Sequence, residues 1–183
     1  MNKNSSVKTV VAVGIGAALF FVLGRFVAIP SGIPNTNISV QYAVLALLAA
    51  MYGPVAGGLI GFIGHTLIDL SWGGSPWWSW IIASAFVGVV VGLFAKSLAL
   101  SEGDFGKKKM VTFAVANVVA NAIAWGVIAP VLDIAIYSEP MEKVFAQGAM
   151  AAVANSLTAV IIGLLLVVAF TKTIAKKGSL DKE

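Results

Sequence analysis

Long apolar stretches with almost no charge make up most of the chain, and they restrict the fold more than any other feature of the sequence. Of the 183 residues, 59% are hydrophobic and only 11% are charged, whereas a soluble domain carries roughly 25% charged residues. Backbone polar groups find no water inside a bilayer, so apolar runs of about 20 residues must cross it as helices. The sequence therefore predicts an all-α integral membrane protein with one transmembrane domain over residues 1–183.

Polar segments rich in proline and glycine divide the apolar sequence into six predicted transmembrane helices. Pro30, Gly32 and Pro34 exclude a regular helix over residues 30–40, which we expect to form a structured loop at the membrane surface. The Gly53–Pro54 pair predicts a tight turn after a short second helix, so that pair of helices could be tilted or partly re-entrant. The predicted helices are Thr9–Ala28, Gln41–Tyr52, Val55–Leu70, Trp77–Leu98, Met110–Ile136 and Ala149–Phe170, with polar loops at 71–76 and 137–148.

The distribution of basic residues predicts how these helices are oriented. Cytoplasmic loops of membrane proteins are enriched in lysine and arginine. With both termini in the cytoplasm, ten of the twelve basic residues fall on the cytoplasmic side, and only Arg25 and Lys143 fall outside. The ten are Lys3, Lys8, Lys96, Lys107, Lys108, Lys109, Lys172, Lys176, Lys177 and Lys182. We therefore expect a multi-pass protein of the cell membrane with cytoplasmic N- and C-termini.

One stretch, Gly53–Trp80, combines features that predict a binding cavity on the outer side. Three of its glycines recur every four residues, namely Gly53, Gly57 and Gly61, which allows a neighbouring helix to approach closely. His65 and Asp69 follow at the same spacing, so their side chains can point the same way. A Gly-Gly-Ser-Pro loop then leads into Trp77 and Trp78, which offer flat surfaces and N–H donors. The sequence thus predicts a site for a flat polar molecule.

Each of these candidate residues also has an explanation that involves no ligand. His65, the only histidine, could bind a substrate, fix helix packing or relay protons, because ionisable residues inside spans are functional candidates by default. Asp69 could be a water-facing cap. Trp77 and Trp78 could belong to an interfacial tryptophan belt, although adjacent residues on a helix cannot both face lipid. Asp133 is a third ionisable residue, near the end of a span.

A polar and aromatic stripe on the fifth predicted helix extends the candidate site. Asn117, Asn121 and Trp125 are spaced by four, and Gln41 opens the second helix just after Asn37. Amides can recognise the edge of a heteroaromatic ring, and an indole can stack on its face. The alternative is that the asparagines bond only to other helices. We expect substrate contacts from Asn37, Gln41, His65, Asp69, Trp77, Trp78, Asn121 and Trp125.

Missing motifs argue against catalysis by the chain itself. It has no cysteine and no GxxxxGK[ST], HExxH or GxSxG motif. One histidine with scattered carboxylates and amides is not a selective ligand set for a transition metal. We therefore expect no enzymatic activity, no cofactor and no metal.

Three segments resemble the S components of energy-coupling factor (ECF) vitamin transporters, within a subgroup long described as uncharacterised membrane proteins. They are PNTNISVQYAVLALLAAMYGP, GGLIGFIGHTLIDLSWGGSPWWSW and NAIAWGVIAPVLDIAIYSEP, and the start KTVVAVGIGAALFFVLG is also similar. The resemblance implies a substrate-binding subunit that captures a vitamin or precursor from outside. It also implies docking on a transmembrane coupling protein that is driven by two ATPase subunits.

The resemblance further implies roles for particular segments of this chain. An alanine-x-x-x-alanine motif meets the coupling protein in this family, and Gly14 and Ala18 match it best, with a glycine in the first position. The same residues could instead serve internal packing. The loops at 30–40 and 71–76 would close over a ligand such as hydroxymethylpyrimidine or a pyridoxine-like compound. From the residues alone, a stand-alone proton-coupled secondary transporter remains the alternative.

Overall fold

The protein, described here as a computed structural model of residues 3–174 with side chains from Val7 onward, is a bundle of helices. Lys176, Lys177 and Lys182, which we predicted to be cytoplasmic, lie outside the described residues. The helices are α1 Lys3–Phe26, α2 Gln41–Tyr52, α3 Pro54–Ser71, α4 Trp78–Leu93, α5 Ala95–Leu98, α6 Lys107–Ile123, α7 Ala129–Tyr137 and α8 Met141–Thr173. A π-helical segment, Ala124–Ile128, joins α6 to α7, and a 3₁₀ turn, Leu100–Glu102, follows α5.

The predicted surface loop after the first helix is an ordered hairpin. Strand β1, Ile29–Pro30, pairs antiparallel with β2, Asn37–Ile38. Gly32 and Asn35 adopt positive φ values of 86° and 57° in the turn, a conformation that glycine and asparagine tolerate better than other residues. The structure therefore keeps the all-α prediction for the transmembrane part and adds one short hairpin.

Several helices are long and apolar enough to cross a membrane. Within residues 3–174 there are four: the Val7–Phe26 part of α1, α3, the continuous run Lys107–Tyr137, and α8. A fifth arises if α4 and the bent segment after it, which turns by 43°, form one span. The 12 residues of α2 rise only about 18 Å, against a hydrocarbon core of about 30 Å. A multi-pass all-α membrane protein is thus confirmed, and the count of six spans stays a prediction.

Three predicted helices were wrong in extent or continuity. The first begins at Lys3 rather than Thr9. The last helix begins at Met141 rather than Ala149, because Pro140 closes the preceding turn and its carbonyl accepts the N–H of Val144 at 3.2 Å. Val144 and Gln147 are buried against the bundle, and this burial stabilises the charged stretch as helix. The fourth predicted helix is not continuous, since Phe94, at φ −87° and ψ −1°, interrupts it.

Glycine contacts bring α3 and α4 together, as the four-residue spacing predicted. A Cβ on Gly57 would lie 2.3 Å from the carbonyl oxygen of Gly88, and one on Gly61 would lie 2.4 Å from that of Ser84. Gly53, by contrast, sits at the turn with φ 89°. The prediction of internal packing is confirmed for Gly57 and Gly61, and this contact fixes α3, which carries His65, against α4.

The described lysine-rich segments meet at one end of the bundle. Lys8 and Ser101 line the same groove as Phe170, and Gly103 lies beside Ile174, with 3.5 Å between a Cβ built on Gly103 and the Ile174 carbonyl oxygen. The opposite end contains the hairpin and the loop between α3 and α4, and it is there that the chain encloses a cavity.

Candidate functional site

A cavity of about 690 Å³ lies at the end of the bundle that carries the hairpin. This volume is within the range of about 300–1,000 Å³ that is usual for small-molecule sites. Helices α1 to α4, α7 and α8, the π-helical segment and both loops contribute to the wall. Of the residues predicted to contact substrate, the wall includes Asn37, Gln41, His65, Asp69, Trp77 and Trp125.

An aromatic box forms one part of this cavity, made of Tyr42, His65, Trp80 and Trp125. The His65 ring is stacked on the Trp125 ring, with centroids 6.2 Å apart and an angle of 30° between the planes. Trp80 and Tyr42 meet Trp125 edge-on, at 5.4 Å and 5.8 Å. Four rings from four different helical segments therefore converge at the cavity wall and pack against one another.

A buried hydrogen-bond chain orients His65 within the box. The Oγ of Ser84 lies 2.6 Å from His65 Nδ1 and 2.7 Å from the hydroxyl of Tyr42. One hydroxyl can bond to only one nitrogen of the imidazole ring. The other nitrogen, Nε2, has no hydrogen bond among the described residues. His65 is thus held by one edge and can offer the other edge to a ligand, as donor or acceptor according to its tautomer.

Asp69 lies one turn beyond His65, and only one of its two carboxylate oxygens accepts a hydrogen bond from the described residues. Its Oδ2 accepts the backbone N–H of Trp77 at 2.8 Å, which ties the loop between α3 and α4 to the end of α3. Its Oδ1 is 3.7 Å from His65 Nε2, too far for a good hydrogen bond. One carboxylate oxygen therefore stays free beside the imidazole edge.

Asp133 joins three other side chains at the wall of the cavity. Its Oδ1 accepts the indole N–H of Trp77 at 2.6 Å and the hydroxyl of Ser79, and its Oδ2 accepts the indole N–H of Trp80 at 2.9 Å. Asp133 is 2% exposed. Because both oxygens accept from indoles, which only donate, the arrangement is that of a carboxylate. Asp133 thus fixes one ring of the box and the loop tryptophan at once.

The π-helical segment brings Trp125 to the cavity with an unused donor. Trp125 is 2% exposed, and its Nε1 has no hydrogen-bond partner among the described residues. The π geometry is maintained beside a close approach of α8, where a Cβ on Gly148 would lie 2.2 Å from the Trp125 carbonyl oxygen. π segments of this kind are frequent at functional sites. A buried donor without a partner costs about 1–3 kcal/mol, a cost that an acceptor reaching this N–H would offset.

The hairpin covers the cavity and is anchored on two sides. Gln147 of α8 donates from Nε2 to the carbonyl of Pro34 at 2.8 Å, and Ser39 donates to the carbonyl of Leu23 at 3.2 Å. The side chain of Gln41 lies against Gly24, where a Cβ would come within 1.7 Å of its Oε1. Only a glycine at position 24 leaves that amide room at the wall.

Two residues that we predicted to contact substrate lie elsewhere. The ring of Trp78 is 45% exposed and lies 6.2 Å from Phe62, outside the cavity wall. Asn121 is fully buried behind the wall, and its Nδ2 donates to the carbonyl of Asn117 at 2.9 Å. The predicted alternative, a bond to another helix, is not formed by Asn121 either, since its Oδ1 has no hydrogen-bond partner among the described residues. Neither Trp78 nor Asn121 lines the cavity wall.

Five residues of the site were not among the predicted contacts: Tyr42, Trp80, Ser84, Asp133 and Gln147. For Ser84 and Gln147 the sequence carried a signal in the spacing. Ser84 follows Trp80 by four positions, so both lie on one face of α4. Gln147 precedes Ala151 and Asn155 at the same spacing, which places all three on the cavity face of α8. The first signal was hidden in an apolar helix and the second in a segment that we predicted to be a loop.

Comparisons with known proteins agree with this architecture. A family model described as ECF-type riboflavin transporter, S component, matches residues 4–172. A UPF0397 protein of Enterococcus faecalis is 52% identical over 183 residues, and one of Lactobacillus gasseri is 54% identical over 185, in both cases across the whole of each chain. The crystal structure of the S-component for biotin from an ECF-type ABC transporter superposes with a TM-score of 0.68, covering 94% of this chain and 95% of that chain.

The structural match, at 17% identity, shows the fold alone. The family match extends over nearly the whole chain. S components are substrate-specific membrane subunits of ECF transporters and are not enzymes. The chain therefore belongs to the ECF-type riboflavin transporter S component family.

Proposed function

We propose that this chain is the substrate-specificity subunit of an ATP-driven ECF importer for a small heteroaromatic vitamin or precursor, either hydroxymethylpyrimidine or a pyridoxine-like compound. The observation that carries the proposal is the aromatic box at a cavity of about 690 Å³, in whose wall the indole N–H of Trp125 is buried without a hydrogen-bond partner among the described residues. A flat ring with a nitrogen or oxygen acceptor on its edge suits both features.

The polar atoms around the box determine which hydrogen-bond donors and acceptors the edge of the ligand must carry. Trp125 Nε1 offers a donor, Asp69 Oδ1 offers an acceptor, and His65 Nε2 can serve as either. A site that leaves buried polar groups unpaired rejects analogues that cannot satisfy them. The substrate we propose therefore carries at least one acceptor and one donor on a planar ring.

The proposed orientation places the cavity outside and the lysine-rich end in the cytoplasm. Lys8 and the 101–103 turn share one end with Phe170, and the positive-inside rule assigns such an end to the cytoplasm. Six crossings with both termini inside follow if α2 traverses the bilayer within the bundle, where its polar ends are sheltered by neighbouring helices. Single cysteines introduced into the loops of this cysteine-free chain, and labelled from each side of the membrane, would test this topology.

Docking on the coupling protein is proposed to occur through α1. Gly14 and Ala18 are exposed on the outer face of that helix, and a Cβ on Gly14 meets nothing within 4 Å, whereas Gly16 and Ala17 face the bundle. A smooth exposed strip lets another membrane helix approach closely. ATP hydrolysis would take place in two separate ATPase subunits.

Equilibrium binding of hydroxymethylpyrimidine and pyridoxine to the purified, detergent-solubilised chain tests the proposal. Trp125→Phe keeps an aromatic ring and removes the N–H, so we expect about 2–10-fold weaker binding, the value of one hydrogen bond. Trp78→Phe is the matched control, because that ring lies outside the cavity wall, and it should bind as the unchanged chain does. Equal affinities for all three proteins would refute the site, and no saturable binding of any pyrimidine or pyridine would refute the function.

The alternative of a proton-coupled secondary transporter draws support from one contact. His65 and Asp69 lie 3.7 Å apart at the cavity, which is a plausible start for a proton relay. Reconstituting the chain alone in liposomes separates the two functions. Uptake driven by a pH gradient without ATPase subunits would favour the alternative, whereas uptake only with those subunits and ATP would favour the ECF importer.

A further inference from the structure

The negative charges that line the cavity outnumber the positive ones. The wall contains three acidic residues and one lysine: Asp69, Asp133, Glu139 and Lys143. The ammonium of Lys143 is bound to Glu139 at 2.6 Å, so these two charges cancel at the rim. Neither aspartate has a lysine or arginine within 4 Å among the described residues. Two carboxylates thus remain without a compensating cation.

The hydrogen bonds of the two aspartates do not remove their charge. Asp133 receives three neutral donors from Trp77, Ser79 and Trp80, which stabilise a carboxylate while leaving its net charge in place. Asp69 receives one backbone N–H. In an environment screened less than water, such charges act across the whole cavity.

The aromatic box adds to the same field. The faces of Tyr42, Trp80 and Trp125 carry partial negative charge, and rings arranged around a cavity attract cations and repel anions. The guanidinium of Arg25 is not part of the wall; it lies over the ring of Trp72, a wall residue, 3.7 Å from the ring centroid.

From this arrangement we infer that the cavity selects heteroaromatic ligands that are neutral or cationic and excludes their phosphate esters and carboxylates. The inference rests on the proposed function and narrows its substrate class. An amino group or a protonated ring nitrogen would donate to the free Oδ1 of Asp69, and a ring acceptor would receive the N–H of Trp125. A phosphate, with a charge of about −1.5 to −2, would meet two carboxylates and, among the described residues that form the wall, no unpaired cation.

Matched ligand pairs test the selection on the full chain in detergent. The pairs are hydroxymethylpyrimidine with its phosphate ester, and pyridoxine with its 5′-phosphate, measured by titration calorimetry. A single pair of unit like charges about 6 Å apart, at an effective dielectric constant of about 20, already weakens binding roughly 100-fold, so each ester should bind at least roughly 100-fold more weakly than its parent alcohol.

A charge variant makes the test specific to the cavity. Asp69→Asn removes one of the two uncompensated carboxylates and keeps an oxygen that can accept the backbone N–H of Trp77, so the ratio of affinities should narrow at least about tenfold. Asp104→Asn, at the lysine-rich end and 76% exposed, is the matched control and should leave the ratio unchanged. A ratio that Asp69→Asn does not alter would overturn the assignment of charge selection to these carboxylates.

The two proposals fail in different ways. If parent alcohol and ester bind equally well, charge selection is overturned while the proposed function stands. If no member of either pair binds, and no other nitrogen heteroaromatic does, both the function and the inference fall together.

Discussion

Replacing Asp133 by asparagine would test whether this carboxylate organises the cavity. The carboxylate accepts two hydrogen bonds at one oxygen and one at the other. An asparagine retains one oxygen and presents an amide N–H₂ in place of the second. Whichever way the amide is turned, at least one indole N–H of Trp77 or Trp80 then faces another donor.

The expected loss of stability follows from the burial of the indole N–H that would be left without an acceptor. Stranding one buried donor costs about 1–3 kcal/mol, and a hydrogen bond to a charged group is itself worth about 1.5–3 kcal/mol. Since the two terms overlap, we expect Asp133→Asn to lower the free energy of unfolding by about 2–3 kcal/mol. That corresponds to a roughly 30- to 150-fold change in the unfolding equilibrium.

Denaturant unfolding of the detergent-solubilised chain, followed by circular dichroism, measures the loss. Asp104→Asn is the matched control, because its carboxylate is 76% exposed and lies 3.4 Å from Lys109. A pair of that kind is worth about 0–1 kcal/mol. If the two substitutions change the free energy of unfolding equally, Asp133 is not the organising group that its hydrogen bonds indicate.

Three further predictions concern the helix contact, the hairpin and the outer face of α1. Gly61→Val should lower the free energy of unfolding by about 2 kcal/mol or more, because its Cβ would lie 2.4 Å from the backbone oxygen of Ser84; an unchanged denaturation midpoint would contradict that close contact. Gln147→Ala removes the 2.8 Å bond to Pro34 and should raise the dissociation rate of bound hydroxymethylpyrimidine about 2–10-fold. Stopped-flow release that is equally fast in both proteins would show that this bond does not hold the hairpin. Gly14→Leu, at a position where a Cβ meets nothing within 4 Å, should leave unfolding and ligand affinity unchanged and reduce copurification with tagged ATPase subunits. Full copurification would exclude this face as the docking surface.

The helical architecture was largely predictable because apolar length and chain breakers are local properties. The second helix has the predicted bounds, Gln41–Tyr52, since a proline hairpin precedes it and Gly53–Pro54 follows it. The start of α8 was not predictable in the same way. Its first turns contain Glu142 and Lys143 and look like a loop in isolation, and burial of Val144 against the bundle stabilises them as helix.

The cavity was predictable in its composition and only partly in its geometry. Spacing placed His65 and Asp69 on one face of a helix, and the structure brings both to the cavity wall. Spacing alone does not say which face meets the cavity, so Asn121 turned out to bond within its own helix. Likewise, two adjacent tryptophans must face different ways, and only the fold shows that Trp77 faces inward.

The π-helical segment has a consequence at the level of a single codon. An α-helix turns by about 100° per residue, and a π turn accommodates one residue more than an α turn. Asn121 and Asp133, twelve positions apart, would stand roughly 120° apart around a regular helix and stand roughly 20° apart with the extra residue. An in-frame deletion of one codon between 124 and 128 would leave the hydropathy profile almost untouched and would also keep this orientation, because eleven positions of regular α-helix bring the two residues to roughly 20° as well. Winding the intact segment as regular α-helix would instead swing the carboxylate away from both indoles.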